Sequence, residues 1–343
     1  MRRNIVAIVF FISIYYSHAD FRAAMADEVA AANYLAENGC LLTWERINTN
    51  LHVVSVKIGN SDIMPKCLER INELPFLCHL SLRCDSVNNT TTSSHLDYLK
   101  CISSLKSLSI TNEILGGIDT RNKSSVKIKD IFSRICHMKE LEDLRVASFN
   151  ADSADDFKEL NSLVKIKHLH LGPMRHMPTG SLKHISNLSE LRTFSAVLII
   201  LSESDWNYLA QKKHLEMVKG FCWLDDYSEH SFESMENLRR IECESGSADE
   251  QFITALGKAP RLEELSFSRT IFDKNALIRL GDIPSLRSLE LRYCVFDDTI
   301  NIAEIFSRIN HIEKFSLICC PEVFRTCVPV QEICVPPTTE KTD

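Results

Sequence analysis

One apolar pattern recurs along most of this 343-residue chain, and it limits what the chain can become. Aligned on L-x-x-L-x-L, eleven units begin at Val53, Leu77, Leu105, Leu141, Ile166, Leu191, Leu215, Leu238, Leu262, Leu286 and Ile312. Successive starts lie 23 to 28 residues apart, except for a gap of 36 from Leu105 to Leu141, which implies an insertion around Gly116 to Lys127. Each unit alternates as a strand does: positions 1, 4 and 6 point inward, as Leu286, Leu289 and Leu291 do, while positions 2, 3, 5 and 7 face water. One such strand alone cannot bury its apolar face. Stacked copies can, at about 4.8 Å per strand, so eleven strands build a parallel ribbon roughly 50 Å long.

After each strand a second apolar pattern predicts a short helix, over Asp62 to Glu73, Ser93 to Ser104, Ser247 to Lys258 and Asp273 to Asp282. Ser247 with Glu250 fits a capping box, and Ser153 with Asp156 is a looser version. The units LEELSFSRTIF (262–272) and LRSLELRYCVF (286–296) resemble leucine-rich repeats. The resemblance implies an α/β fold, a leucine-rich repeat solenoid of horseshoe form, with a parallel β-sheet on the concave face and short helices on the convex face. The family's asparagine at position 9 is replaced by Ser61, Thr270, Cys294 and Cys320, each able to hydrogen-bond the turn backbone, the cysteines weakly. With a spacing of 24 from Leu262 to Leu286 and Thr270 followed by Asp273, the repeat is similar to the exported bacterial type. That match is good at both ends of the array and poor in its middle.

The ends are read separately. Residues 1–19 form a secretory signal peptide: Arg2 and Arg3, the apolar run Ile5 to Tyr16, then Ser17-His18-Ala19 as the cleavage site. The run is shorter than the ~20 residues of a membrane-spanning helix, so the mature chain is expected to be secreted or extracytoplasmic, in the periplasm or at the cell surface. A retained signal anchor is the alternative. Residues 20–50 hold a capping helix, Phe21 to Asn38, stopped by Gly39, and a lead-in; residues 51–325 are the repeat domain; residues 326–343 are a disordered tail.

Neither composition nor motifs suggest an enzyme. The formal net charge of -7 gives no global positive field for nucleic acid or anionic lipid. Motifs such as G-x-S-x-G, H-E-x-x-H and the phosphate-binding G-x-x-x-x-G-K-[ST] are missing, and no cofactor is implied. The 13 cysteines form no zinc-type pairs; most fall inside repeats as core, while Cys319, Cys320, Cys327 and Cys334 crowd near the end and could staple it.

The expected function is therefore an exported, non-catalytic module that binds a protein on the concave sheet, with no nucleic-acid partner and no stable membrane insertion after signal cleavage. Charges at the outward positions run seven basic to three acidic over the first seven units and five to six over the last four, a polarity suited to steering a partner. The candidate contacts are Lys57, Arg83, Arg145, His168, His170, Lys219, Phe221, Glu242 and Glu290. A structural cell-surface spacer is one alternative. Metal binding through His168 and His170, with Met174, His176 and Met177 close behind, is another, although no metal site is assigned. Ala196 to Leu201 and Gly220-Phe221-Cys222-Trp223 break the pattern, as an apolar interface anchor or as a repacked core.

Overall fold

The structure is a computed structural model; it describes residues 19–59, 64–85, 93–113, 126–172, 177–222, 232–296, 308–309, 311–318 and 320. The apolar run read as a signal peptide, residues 116–125 of the expected insertion and the tail from 326 onward lie outside those residues. Two compact units divide the chain, Met1–Asn150 and Ala151–Asp343.

In the first unit helix α1 (Ala19–Glu37) leads into an antiparallel hairpin of β1 (Leu41–Ile47) and β2 (Asn50–Ile58). Parallel pairing then runs from β2 through β3 (His79–Asp85) and β4 (Ser107–Glu113) to β5 (Asp143–Ala147). Helix α2 (Met64–Ile71), a 3₁₀ segment (Ser93–Cys101) and helix α3 (Ile128–Ile135) connect the parallel strands. Every inward residue of the repeat pattern in these strands, Leu80, Leu82, Leu108, Ile110, Leu144 and Val146 among them, is buried.

Strand β1 is a departure from the helix-and-lead-in expected over 20–50. It turns back at Asn48, which takes the left-handed conformation (φ 57°), and pairs along the side of β2 away from β3. Because β1 is largely exposed, it carries no strong apolar alternation for sequence reading to detect.

Helix α1 is fastened to this hairpin by one buried carboxylate. The Glu28 side chain accepts the Val53 backbone N–H at 2.8 Å and meets His52 Nδ1 at 2.9 Å, while the His52 ring lies 4.0 Å from that of Phe76. The helix ends as Gly39 turns left-handed (φ 78°) and the Cys40 N–H closes onto the Leu35 carbonyl at 2.9 Å.

The second unit pairs β6 (His168–Leu171), β7 (Thr193–Ile200), β8 (Met217–Cys222), β9 (Arg240–Ala248), β10 (Glu264–Phe272), β11 (Ser288–Arg292) and β13 (Lys314–Ile318) in parallel, with β12 (Val295–Phe296) beside the end of β10. The connections hold 3₁₀ segments at Ala154–Ser162 and Ser181–Ile185, then helices α4 (Glu203–Ala210), α5 (Glu250–Leu256) and α6 (Lys274–Leu280).

Helix starts correct one expectation and support two. Ser247 lies inside β9, so the capping box at Ser247 and Glu250 does not form; Asp249 caps α5 instead, accepting the Phe252 N–H at 2.7 Å. Ser153 and Asp156 do form their box, although it opens a 3₁₀ turn rather than an α-helix. Asp273 caps α6 through the Ala276 N–H at 2.6 Å.

A recurring kink interrupts β9 and β10 and directly follows β5 and β11. Ser148, Ser245, Arg269 and Tyr293, each at position 8 of its unit, are left-handed with φ of 65°, 61°, 54° and 54°. The kink reverses the alternation, so position 9 turns inward. Thr270, Cys294 and Cys320 are fully buried there and donate to carbonyls: Thr270 Oγ1 to Ser268 at 3.3 Å, Cys294 Sγ to Arg292 at 3.4 Å and Cys320 Sγ to Ile318 at 3.6 Å. The position-9 hydrogen bonds expected from the sequence are present at these three; Ser61 lies outside the described residues. Cys320 is thus a core residue of the last strand turn, while Cys319, Cys327 and Cys334 lie outside the described residues. The Cys320 thiol and burial together hold the Cys294 thiol pKa above the ordinary range.

Two predictions follow from these contacts. Glu28→Ala leaves the Val53 N–H and a His52 nitrogen buried without their acceptor, about 1–3 kcal/mol for each group, so α1 and the β1–β2 hairpin should lose hydrogen-exchange protection while β4 and β5 keep theirs. Ser245→Val puts a β-branched residue in the left-handed region and should cost about 1–2 kcal/mol by thermal or chemical melting; Ser245→Gly should not.

Candidate binding face

Strand positions 4 and 6 are buried in nearly every repeat, while most outward positions stay exposed or half-buried. In the first unit the register aligns two rows. One reads Ser55, His79, Ser107, Asp143 and the next Lys57, Ser81, Ser109, Arg145, with Arg83 beside Thr111 further along. Lys57, Arg83 and Arg145 are exposed. Lys57 and Arg145 therefore stand three strand spacings apart, about 14 Å, at either end of a pavement of small hydroxyl side chains. Among the described residues neither has an ion-pair partner.

The second unit differs because its charges meet each other. Its rows read His168, Thr193, Met217, Arg240, Glu264, Ser288, Lys314 and His170, Ser195, Lys219, Glu242, Ser266, Glu290, Ser316. Arg240 pairs with Glu242 at 2.7 Å and with Glu264 at 3.0 Å. Arg292 pairs with Glu290 at 2.6 Å, a hydrogen bond that raises the arginine's pKa further, and Ser266 Oγ donates to the same carboxylate at 3.2 Å. Glu242 and Glu290, read as partner contacts, are thus already engaged within the sheet.

Position 2 adds a second, alternating ladder just before the strands. Arg192 pairs with Glu216 at 2.9 Å, Arg239 with Glu263 at 4.0 Å, and Arg287 with Glu313. All six side chains are substantially exposed, so each pair adds little stability, about 0–1 kcal/mol, but cancels charge. The polarity counted from sequence included these residues. Much of the charge along the second unit is neutralised pairwise, whereas Lys57 and Arg145 stay open.

The histidines share adjacent positions of one strand, His168 exposed and His170 half-buried. Among the described residues no group of three His, Cys, Asp or Glu side chains gathers around a common point; Met174 and His176 lie outside them. Lys219 is half-buried, and Ser195 beside it is buried with an Oγ that has no hydrogen-bond partner among the described residues.

The broken pattern of the sixth and seventh units resolves into a bulge. Strand β7 pairs Ser195 with Lys219 and then Ile199 with Phe221, so Ala196, Val197 and Leu198 stand opposite Gly220 alone. Gly220 is left-handed (φ 78°), and a Cβ there would meet Val197 at 3.0 to 3.3 Å, so no larger residue fits without a shift. Ala196 and Leu201 are buried, which favours the repacked core over an apolar anchor at those positions. Phe221 belongs to β8, but its side chain, like Trp223, lies outside what is described.

Sequence reading missed a different apolar group. Ile271, Tyr293 and Val295 are 55%, 52% and 39% exposed, and Ile271 and Val295 are paired in register beyond the left-handed kinks. The L-x-x-L-x-L frame assigns no outward role to positions 8 and 10, because the kink that turns them out is invisible in it.

No family model matches the chain, and no characterised protein sequence matches it. Similar solved structures include an internalin, inlF, from Listeria monocytogenes, at TM-score 0.46 and 12% identity over 86% of this chain and 90% of that one. An internalin C2 from the same organism gives 0.40 and 15% over 66% and 84%. TLR13 in complex with ssRNA13 gives 0.42 and 16% over 72% of this chain, which spans only 36% of that one. At these scores the fold assignment rests on the register and burial of the strands themselves. Parallel strands one repeat apart, burying their L-x-x-L-x-L residues in all but the last strand and connected by short helices, make the chain an α/β leucine-rich repeat solenoid.

Proposed function

We propose that the chain is an exported, non-catalytic module that takes a protein ligand on the uncovered side of its strands. The observation that carries this reading is the face of the first unit. Parallel sheets in most α/β proteins are covered on both sides; here one side carries rows of serine and threonine, with Lys57 and Arg145 exposed and without ion-pair partners among the described residues. Small hydroxyl side chains leave room for a partner backbone, and open cations favour an acidic partner surface. The basic lead segment Arg2–Arg3 and the apolar run behind it support export, and among the described residues no helix is long and apolar enough to cross a membrane.

The second unit favours another reading for its own face. A sheet surface whose charges are paired internally is solvated without a ligand, as a structural spacer would require. The two readings differ in what substitution does. If protein binding is right, a ligand recovered from the extracytoplasmic fraction should bind Lys57→Glu/Arg145→Glu at least tenfold more weakly, about 1.4 kcal/mol or more, in titration calorimetry, and the helix-side variant Lys129→Glu normally. Equal binding by all three proteins would leave the spacer reading. Tight, charge-dependent binding of a single-stranded RNA oligonucleotide to the same face would replace the protein by nucleic acid.

A further inference from the structure

The nine cysteines whose side chains are described are all free thiols. Several donate to a backbone carbonyl: Cys78 to Phe76, Cys136 to Ser133, Cys294 to Phe267 and Arg292, Cys320 to Leu291 and Ile318. Cys40 and Cys67 differ, because the contact each makes is with the other. Their sulfurs lie 3.7 Å apart, and both side chains are buried.

Cys40 directly follows the left-handed Gly39 that ends α1, and its N–H is held by the Leu35 carbonyl at 2.9 Å. Cys67 sits on the buried face of α2 with Met64, Leu68 and Ile71. The two sulfurs thus join the end of the leading helix to the helix of the first repeat, elements otherwise tied by packing and by the Arg70 guanidinium 5.7 Å from the Tyr34 ring. We propose that Cys40 and Cys67 are a disulfide site that fastens the leading segment to the first repeat.

The geometry asks little of the chain. Closing 3.7 Å to the ~2.05 Å of a disulfide needs less than 2 Å of sulfur movement, shared by two side chains. No thiol-to-carbonyl hydrogen bond is lost, unlike at Cys294 and Cys320. The bond closes a loop between residues 27 apart, a length at which a crosslink restrains the unfolded chain strongly. With a small-molecule disulfide as oxidant, the two thiols give up two protons and two electrons, the Cys40–Cys67 bond forms, the oxidant's sulfur–sulfur bond breaks, and two small thiols leave. Burial, then the neighbouring Cys67, pushes the Cys40 thiol up to about 12, so thiolate is scarce in the folded protein and exchange is slow. The bond therefore belongs to the folding chain in an oxidising compartment, and once made it is shielded from reductants. This chemistry is independent of any ligand on the sheet face.

The full chain, refolded with oxidised and reduced glutathione, alkylated and digested without reduction, tests the site. The expected result is a peptide pair joining Cys40 to Cys67 as the main disulfide, with hydrogen exchange of α1, β1 and β2 at least tenfold slower than after reduction under denaturing conditions and refolding with the thiols blocked. Cys67→Ser should abolish both the linked pair and the difference in exchange; should that variant fail to fold, Cys67→Ala, which adds no polar group, takes its place. Recovery of both cysteines as alkylated thiols from oxidised, folded protein overturns the proposal, as does their linkage to other cysteines. Equal exchange in the linked and thiol-blocked forms overturns the fastening role.

Discussion

Within each unit, most repeats are held to the next by a carbonyl that accepts two N–H groups at once. The Lys106 carbonyl takes the Glu142 and Asp143 N–H groups at 2.8 and 3.0 Å; in the second unit the Glu263 carbonyl takes those of Arg287 and Ser288 at 2.8 and 2.9 Å. The carbonyl belongs to position 2, just ahead of the strand, so the fork sets the register before the ladder begins. A slip of one residue would break the fork and turn every leucine of the strand to water. The outward rows of side chains, and whatever they bind, depend on that register.

Register also decides which charges are available. Position-2 residues one repeat apart become neighbours, and from Arg192 onward they alternate in sign, Arg192, Glu216, Arg239, Glu263, Arg287 and Glu313. Each pair is weak alone, but together they cancel charge along the sheet's margin. Lys57 and Arg145 in the first unit belong to no such pairing among the described residues, and a surface cation left open is better placed to meet a partner.

The left-handed residue at position 8 has a similar organising role. It lets position 9 turn in to satisfy the turn backbone, as Thr270 and Cys294 do, and it turns position 10 out, so Ile271 and Val295 reach solvent. The residues that accept this conformation are serine, arginine and tyrosine rather than glycine, so steric ease does not select them. At Ser148, Arg269 and Tyr293 a buried position-9 side chain, Phe149, Thr270 or Cys294, follows the kink and anchors the backbone against its intrinsic preference.

The sequence by itself determined the repeat, the strand faces and the core, because a period near 24 and an inward alternation leave one way to bury the leucines. Asp273 as a helix cap and the backbone-bonding role of Thr270, Cys294 and Cys320 were legible too, since both depend on neighbours within a few residues. Only tertiary structure decided the rest. Strand β1 shows itself only by pairing with β2, the kinks at position 8 carry no residue signature, and Glu28 finds Val53 and His52 across some 25 residues of chain. The polar contacts of the sheet face combine same-strand pairs, Arg240 with Glu242 and Arg292 with Glu290, with contacts one repeat away in sequence but a strand spacing away in space, Arg240 with Glu264 and Ser266 with Glu290. Apolar periodicity is a local quantity that one sequence displays directly, whereas pairing between polar side chains is set by register and exists only once the strands are stacked.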